Sequence, residues 1–232
     1  MLILGFGNKA RQGKDTAAEA ITSHYKHISE HYAYPPIRTV TIKFADSLYR
    51  EANDYLEIGH NLGITPAELF KKGVREIVGG ELVQTPIPDW VTPDPNPTFP
   101  KNAPYGKHPK LLQWWGTELR RAQDPNYWVK KTFVAIPKNA DIVMITDVRF
   151  PNEADAVKQQ GGYTINVQRL REDGQPYYSG DRPADHISET ALDGYNWDYY
   201  IKSKSAVVTA ELAITYAELL RGLQSGQTKK AA

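Results

Sequence analysis

Hydrophobic and polar positions alternate in blocks along this chain, and the blocks predict strands and helices in turn. Apolar residues recur at helical spacing at Ala17, Ile21, Tyr25 and Ile28, after a short apolar run and a glycine-containing loop. Runs with the length and composition of buried strands occupy residues 2–6, 39–44, 141–146, 163–167 and 197–201. Strands that alternate with helices predict an α/β fold, with a mostly parallel sheet flanked by helices.

Turn and cap residues set the boundaries of the other helices. Thr65, Pro66 and Glu68 form a capping-box start, and the Gly-Gly pair at 79–80 predicts the end of that helix. Further helices are predicted from residue 47, over 111–121, 127–136 and 153–160, and around 208–219, with a frayed tail from residue 225. Residues 86–109 carry eight of the sixteen prolines, which predicts an insertion without regular structure.

Composition narrows the classes of function. The 232 residues suit one α/β domain with an insertion or lid. The absence of cysteine excludes disulfides, a thiolate nucleophile and cysteine-bound zinc, and it fits a cytoplasmic protein. A net charge of +1 gives no reason to expect a nucleic-acid partner, and no apolar run approaches the roughly 18 residues of a membrane span. The 14 tyrosines permit a homodimer without requiring one.

Residues 7–16, Gly-Asn-Lys-Ala-Arg-Gln-Gly-Lys-Asp-Thr, lie where a phosphate-binding loop (P-loop) belongs, between the first strand and the first helix. Such a loop curls backbone N–H groups around the β-phosphate, and the helix N-terminus that follows favours an anion. Lys14 would bridge the β- and γ-phosphate oxygens. The pattern therefore predicts that Mg²⁺-ATP binds here.

Two positions depart from the usual P-loop pattern. Asn8 stands where glycine is expected, because the two glycines are one residue too far apart, and asparagine tolerates positive φ better than most residues. Asp15 stands where Ser or Thr normally touches Mg²⁺, with Thr16 one residue later. The alternative is a glycine-rich turn before an ordinary helix, with Lys14 and Asp15 solvated. The order strand, loop, helix favours the P-loop.

A second candidate phosphate site is the stretch 111–121, Leu-Leu-Gln-Trp-Trp-Gly-Thr-Glu-Leu-Arg-Arg. On a helix, Gln113, Thr117, Arg120 and Arg121 can share one face. Arginine forks grip phosphate oxygens, and an indole face can stack on a base. The alternative is one core tryptophan and two solvated arginines, but beside a P-loop an acceptor-phosphate site is the better interpretation.

A carboxylate and an arginine follow the strand predicted at 141–146. Ligands of open α/β sheets bind outside the carboxyl ends of the strands, so Asp147 and Arg149 would point at the P-loop. Asp147 could hold Mg²⁺ or its waters, and Arg149 could stabilise charge on the transferred group. The alternative for Asp147 is a helix cap or an ion pair with Arg149.

The turn-rich stretch 169–185 carries Arg169, Arg171 and Arg182 and could be a lid. A flap that closes over ATP would exclude water, whereas the alternative is a solvated loop. His186 is interpreted as lying behind the site, because a phosphate acceptor is already ionised at neutral pH and needs no strong base. None of the six histidines has convincing metal-ligand spacing.

These motifs together resemble the bacteriophage deoxynucleoside monophosphate kinases. The landmarks occur in family order over residues 1 to about 192. They are Gly13-Lys14-Asp15-Thr16, Phe44-Ala45-Asp46-Ser47-Leu48, Gln113-Trp114-Trp115-Gly116-Thr117-Glu118 with Arg120-Arg121, Thr146-Asp147-Val148-Arg149-Phe150-Pro151-Asn152-Glu153, and His186 with Ser188-Glu189. Asp15, unusual for a P-loop, is what this family carries.

The resemblance implies a nucleoside monophosphate kinase-like fold and the reaction ATP + dNMP = ADP + dNDP with Mg²⁺, for DNA precursor supply. Expected catalytic residues are Lys14, Asp15, Arg149 and Arg171. Expected ATP contacts are Asn8, Arg11, Gly13, Lys14, Asp15, Thr16 and Arg169, with Asp15, Thr16 and Asp147 at the metal. Expected dNMP contacts are Asp46, Trp115, Glu118, Arg120 and Arg121.

One kinase domain over residues 1–232 is expected. Its core would comprise 1–45, 110–168 and 197–222, its monophosphate-binding region 46–121 with the insertion 86–109, and its lid 169–185. Three alternatives stay open. They are a phosphomevalonate kinase-like enzyme, an ATP-sensing module without catalysis, and a nucleic-acid-stimulated ATPase, which the near-neutral charge disfavours.

Overall fold

The computed structural model describes residues 1–32, 35–180, 185 and 187–230, without the side chains of residues 225 and 227–230. The strands are β1 (Leu2–Gly7), β2 (Thr39–Ile42), β3 (Val74–Val78), β4 (Glu81–Thr85), β5 (Ile142–Val148), β6 (Tyr163–Arg169) and β7 (Tyr199–Ser203). The α-helices are α1 (Lys14–His31), α2 (Phe44–Asn61), α3 (Pro66–Lys72), α4 (Pro109–Gln113), α5 (Tyr127–Val134), α6 (Pro151–Gln159), α7 (Ile187–Thr190) and α8 (Ala206–Lys230). A π-helical segment, Trp114–Arg121, follows α4.

The chain divides into two compact units, Met1–Phe44 with Thr132–Ala232 and Ala45–Lys131. The first unit contains a five-stranded sheet in the order β2-β5-β1-β6-β7, in which all neighbouring strands are parallel. The carboxyl ends of its strands therefore lie at one edge, where ligands bind in open α/β sheets. The predicted α/β fold, a mostly parallel sheet flanked by helices, is confirmed, and it is consistent with a P-loop kinase-like fold.

Helices cover both faces of this sheet. On one face, Leu4 of β1 belongs to a core that includes Ile21 of α1 and Ala217 of α8, and all three are fully buried. On the other face, a Cβ built on Gly5 would lie 3.0 Å from Val157 of α6, so the glycine permits close contact between helix and sheet. Burial on both faces explains why β1 is apolar throughout rather than alternating.

The second unit has a core rich in aromatic side chains. Tyr55, Trp114, Trp115 and Trp128 are each at most 7% exposed and belong to one hydrophobic cluster. Three of these rings use their polar atoms as donors: the indole N–H of Trp128 donates to the carbonyl of Gly116 (2.9 Å), that of Trp115 to Glu51 (3.0 Å), and the hydroxyl of Tyr55 to the carbonyl of Leu69 (2.9 Å). Both tryptophans of the π-helical segment, Trp114 and Trp115, therefore pack into this cluster.

The prediction of a helix that ends at 79–80 was wrong, because a β-hairpin forms there. Helix α3 stops at Lys72, and Gly73 follows with φ 70°, a conformation that favours glycine. β3 and β4 then pair in antiparallel fashion. Gly79 (φ 61°) and Gly80 (φ 90°) form the two-residue turn, which requires positive φ at both positions.

Other predicted boundaries also need correction. β2 ends at Ile42, and α2 begins at Phe44, three residues before the predicted start. The helix predicted over 111–121 is α-helical only to Gln113 and π-helical afterwards. Residues 225–230 of the predicted frayed tail are instead part of α8, and residues 231–232 lie outside the described residues. The helix contains no proline, and each of its two glycines costs only about 1 kcal/mol relative to alanine.

The proline-rich stretch agrees with its prediction. Between the end of β4 and the start of α4, all of which the structure describes, there is no helix or strand. One isolated bridge joins Thr98 and Lys107. Among the helices described here, none is long and apolar enough to cross a membrane.

Candidate functional site

The P-loop joins β1 to α1 and contains three residues in the left-handed region. Asn8 has φ 108°, Arg11 has φ 55° and Gly13 has φ 96°. The amide of Asn8 donates to Oδ1 of Asn166 (3.0 Å) and to the carbonyl of Val167 (3.1 Å), both on β6. These bonds stabilise a backbone conformation that usually requires glycine, so Asn8 stands in for the missing glycine of the motif.

Lys14 is the first residue of α1 and is 7% exposed. Its ammonium donates to the carbonyls of Asn8 (3.1 Å) and Lys9 (2.5 Å), two residues of the same loop. Burial, reinforced by the nearby charge of Arg149, lowers the pKa of Lys14 to about 7. Two neutral carbonyls hold the side chain inside the loop. Because carbonyls carry no net charge, the positive charge of protonated Lys14 would be available to an anion bound there.

A cavity of about 510 Å³ opens beside the loop. This volume lies in the usual range of small-molecule sites, which is about 300–1,000 Å³. Six basic residues line it, namely Arg11, Lys14, Lys43, Arg149, Arg169 and Lys204, against the two acidic residues Asp15 and Asp147. The N-terminal turn of α1 adds backbone N–H groups without helical partners. The arrangement suits a polyanion such as a nucleotide triphosphate.

The two acidic residues of the cavity lie at the ends of different elements. Oδ1 of Asp15 accepts from the hydroxyl of Thr146 (2.8 Å) and from the ammonium of Lys43 (2.8 Å). Burial acts to raise the pKa of Asp15, but these two bonds outweigh it and lower the pKa below its usual value. Asp147 accepts from the backbone N–H of Phe44 (2.7 Å).

The same oxygens could hold Mg²⁺. Within the described part of the chain, no three His, Cys, Asp or Glu side chains form a metal-binding group. Magnesium in phosphotransferases is commonly held by one or two carboxylates together with substrate phosphates and waters. Asp15, Thr16 and Asp147, the expected ligands, all line the cavity, so the residues present fit this type of site.

Arg149 follows β5 and lines the cavity. Its guanidinium donates to Oε1 of Glu189 (2.8 Å). Its backbone N–H donates to Oε2 of Glu153 (2.8 Å), which caps α6. Sequence reasoning placed Arg149 in the site but assigned neither glutamate a role, although both belong to the motifs of the resembled family.

Two of the three arginines of the predicted lid lie among the described residues, and they are placed differently. Arg169 ends β6, lines the cavity, and stacks its guanidinium over the ring of Tyr177 (4.5 Å). Arg171 is exposed, pairs with Asp173 (3.2 Å), and does not line the cavity. Its catalytic role therefore stays a prediction. Arg182 and His186 lie outside the described residues.

Gln12 links the P-loop to this stretch and was missed by sequence reasoning. It is 3% exposed, and its Oε1 accepts from the backbone N–H of Arg169 (2.8 Å). Its amide nitrogen donates to the carbonyl of Tyr177 (2.9 Å). A loop glutamine gives no signal in sequence, because its partners lie more than 150 residues away in the chain.

The Trp-Arg cluster of the second unit surrounds a carboxylate. Glu51 of α2 accepts from the indole N–H of Trp115 (3.0 Å), Nε of Arg120 (2.8 Å), the hydroxyl of Tyr127 (2.6 Å) and the ammonium of Lys131. Burial acts to raise the pKa of Glu51, but these hydrogen bonds lower it below the usual value. The basic residues of this cluster are thus neutralised by carboxylates within the same unit.

Arg120 makes a second ion pair in this network. Both terminal nitrogens of its guanidinium donate to Glu76 on β3, Nη1 at 2.8 Å. Burial acts to lower the pKa of Arg120, but the two glutamates raise it above its usual value. Trp115 is 3% exposed, and Arg120 is 8% exposed. A direct contact of either with dNMP would require the network to open, so both roles stay predictions.

The remaining predicted dNMP residues are more accessible. Asp46 and Glu118 are exposed, and Arg121 is half-buried. Gln113 and Thr117 are exposed too, and only Arg120 of the expected shared face is buried. The π-helical geometry of this segment alters the three- and four-residue spacing on which that face was based.

No protein-family model matches the chain. It is similar to a protein of Acanthamoeba polyphaga mimivirus that is named "Putative deoxynucleotide monophosphate kinase". The two are 26% identical over 73% of this chain and 75% of that protein. This similarity supports a nucleotide kinase relationship at most, and it does not support a bacteriophage origin.

Proposed function

We propose that this chain phosphorylates deoxynucleoside monophosphates with ATP, giving ADP and the deoxynucleoside diphosphates that DNA precursor synthesis consumes. The observation that carries the proposal is the P-loop itself. Lys14 is buried at the N-terminus of α1, donates to two backbone carbonyls of the loop, and faces a cavity with six basic and two acidic residues. Its distant relative is named as a kinase of this class.

ATP would bind with its phosphates in the P-loop. Backbone N–H groups of the loop and of the first turn of α1 would surround the β-phosphate. Lys14 would bridge the β- and γ-phosphates, with Asn8 and Gly13 shaping the loop. Arg11 and Arg169, both in the cavity wall, would neutralise further phosphate charge.

Asp15, Thr16 and Asp147 would hold Mg²⁺, directly or through waters. The bound ion would neutralise charge on the phosphate oxygens as it develops during transfer. Lys43 pairs with Asp15 in this structure, and its ammonium would have to release that carboxylate when a divalent cation binds.

Transfer to a phosphate acceptor needs positioning and charge stabilisation rather than a strong base. Arg149 lines the cavity and would stabilise charge on the transferred group. Arg171 would join it only if the stretch around it changed conformation, because it points to Asp173 in this structure. Lys14, Asp15, Arg149 and Arg171 are thus the proposed catalytic set.

The second unit would supply the dNMP contacts. We propose that Asp46, Glu118 and Arg121, the accessible members of the predicted set, touch the acceptor. Trp115 and Arg120 would hold these residues in position. They would contact dNMP directly only if its phosphate displaced a carboxylate of the Glu51 network. An acceptor phosphate could take the place of Glu76 on Arg120, since both present two oxygens to the same guanidinium fork.

The experiment that tests this function is ADP production from Mg²⁺-ATP with each acceptor offered separately. The acceptors are the four dNMPs, the four NMPs and phosphomevalonate. We expect turnover with at least one dNMP. Turnover with phosphomevalonate alone would support the isoprenoid alternative, and tight ATP binding without acceptor-dependent ADP would support the sensing module.

A further inference from the structure

We propose that Glu189 is a positioning residue, which holds the guanidinium of Arg149 at the cavity wall and fixes the P-loop at Ala10. The proposal rests on the proposed function where it concerns phosphoryl transfer, and it adds a residue to which no role was assigned. All three residues belong to the first unit.

The two oxygens of the Glu189 carboxylate have different partners. Oε1 accepts from Nη1 of Arg149 at 2.8 Å, and Oε2 accepts from the backbone N–H of Ala10 at 2.8 Å. Ala10 lies in the P-loop, and Arg149 follows β5. One side chain on the short helix α7 therefore joins two elements that both belong to the nucleotide site.

The ion pair between Arg149 and Glu189 is more buried than a surface ion pair. The side chain of Glu189 is 2% exposed, whereas that of Arg149 is 20% exposed. Arg149 lines the cavity, while Glu189 and Ala10 do not. The carboxylate thus lies behind the arginine, outside the space that a ligand would occupy, and a phosphate could contact Arg149 without displacing Glu189.

The carboxylate of Glu189 also offsets repulsion between neighbouring cations. Arg149 and Lys14 line the same cavity, and the buried carboxylate of Glu189 pairs with Arg149. Two cations that converge on one anion site repel each other while the site is empty. A buried carboxylate behind them offsets the repulsion, so both side chains can stay in place before the nucleotide arrives.

Geometry also limits the freedom of Arg149 at both ends. Its backbone N–H is held by Glu153 and its guanidinium by Glu189. Without Glu189, the long side chain would sample several rotamers, and ordering it in each catalytic cycle would cost conformational entropy. The loss would affect turnover more than ATP affinity, because backbone N–H groups and Lys14 also hold the ATP phosphates.

The test is a double-mutant cycle on dNMP phosphorylation and ATP affinity, with Glu189→Gln, Arg149→Ala and the double variant. Glu189→Gln should lower kcat about 10- to 100-fold, because it weakens a hydrogen bond between two charged groups. The KM for ATP should change less than about threefold. In the Arg149→Ala background, the same change should lower kcat less than about twofold. Equal effects in both backgrounds, or an unchanged kcat in the single variant, would overturn the proposal.

Asp193→Asn is the matched control. Asp193 also pairs with a P-loop residue, Lys9 (3.3 Å), but its own side chain is 60% exposed, against 2% for Glu189. Exposed pairs contribute little, so this variant should retain kcat within about twofold. A loss equal to that of Glu189→Gln would mean that any charge removed near the loop has the same effect, and would overturn the proposal.

Two further measurements keep the test decisive. If Glu189→Gln does not fold, the wild-type protein is examined by ¹⁵N NMR, where slow rotation of the Arg149 guanidinium is expected and free rotation would overturn the proposal. If the wild type phosphorylates no dNMP, the proposed function fails on its own. The positioning role is then read by ¹⁵N NMR, where faster rotation of the Arg149 guanidinium in Glu189→Gln than in the wild type supports it and equal rotation in both overturns it.

Discussion

The two clusters of basic side chains differ in what neutralises them. Around the P-loop, the ammonium of Lys14 is held by two carbonyls, and basic residues outnumber acidic ones six to two in the cavity wall. In the Trp-Arg cluster, Arg120 is paired with Glu51 and Glu76, and Lys131 with Glu51. Although Lys43 and Arg149 are also paired, the first arrangement keeps an excess of basic residues on the cavity wall, whereas each cation of the second faces a carboxylate.

Arginine, lysine and tryptophan in a short stretch can therefore pair with carboxylates of other elements as well as with a ligand. The same residue types hold a fold together when carboxylates from other elements reach them. Breaking such a buried network is costly, because it leaves a charge uncompensated. The predictions below separate the two clusters, beginning with the largest effect.

Lys14→Met should lower kcat by at least about 10³-fold, because it removes the charge that contacts the transferred phosphoryl group. The fold should persist, since methionine fills a similar volume. Steady-state kinetics and circular dichroism measure both. Lys9→Met is the matched control in the same loop, because Lys9 forms a partly exposed ion pair with Asp193. Its kcat should stay within about twofold, and comparable losses in both variants would contradict the P-loop assignment.

Glu51→Gln should lower the free energy of unfolding by about 3 kcal/mol, because a carboxylate that accepts four hydrogen bonds loses its charge. Urea titration followed by tryptophan fluorescence is a suitable measurement, because four of the five tryptophans lie in the second unit. They are Trp90, Trp114, Trp115 and Trp128. ATP affinity should not change.

The control for Glu51 is Asp54→Asn on the same helix. Asp54 is exposed, so its replacement should change the free energy of unfolding by less than about 0.5 kcal/mol. A loss of ATP affinity in Glu51→Gln without a loss of stability would show that the Trp-Arg cluster acts in binding rather than in holding the second unit together.

Arg121→Ala should raise the KM for dNMP about tenfold or more and leave the KM for ATP within about twofold, as expected for one charged hydrogen bond to the acceptor. Arg120→Ala serves as the contrast. It should lower the free energy of unfolding by about 3 kcal/mol, because Glu51 and Glu76 lose their shared partner. Equal changes in both KM values for Arg121→Ala would remove this residue from the acceptor site.

ATP binding should take up protons at pH 8. The pKa of Lys14 is about 7 without ligand, so the side chain is mostly neutral at pH 8. Phosphate charges next to it raise that pKa, so binding protonates it, and ATP affinity falls by up to about tenfold per pH unit above pH 7. Calorimetry in two buffers of different ionisation enthalpy measures the uptake. Lys14→Met should abolish it, and a wild type without uptake would contradict the lowered pKa.

Local patterns predicted much of the first unit. The P-loop, the strand before it and the helix after it are contiguous in the chain, so their order could be read directly. Asp147 and Arg149 were placed in the site because parallel strands share one carboxyl edge. The partners of those residues were not predictable, since Glu189 is 40 residues from Arg149 and 179 from Ala10.

The second unit was predicted less well for two physical reasons. The hairpin β3–β4 was taken for the end of a helix, although the Gly-Gly pair is the usual sequence of a two-residue turn. The Trp-Arg stretch was assigned to an ordinary helix, whereas it forms a π-helical segment whose tryptophans pack in the core. Its neutralising carboxylates, Glu51 and Glu76, come from α2 and β3 and carry no local pattern.

The sequence by itself determined the α/β class, the glycine-containing loop between β1 and α1, and the placement of Lys14 at the start of α1, because these follow from contiguous hydrophobic patterns and from backbone conformations that few residues adopt. Only the tertiary structure decided which cations face a cavity and which face carboxylates. Electrostatic pairing depends on distances of about 3 Å between residues far apart in the chain, and such distances are set by packing.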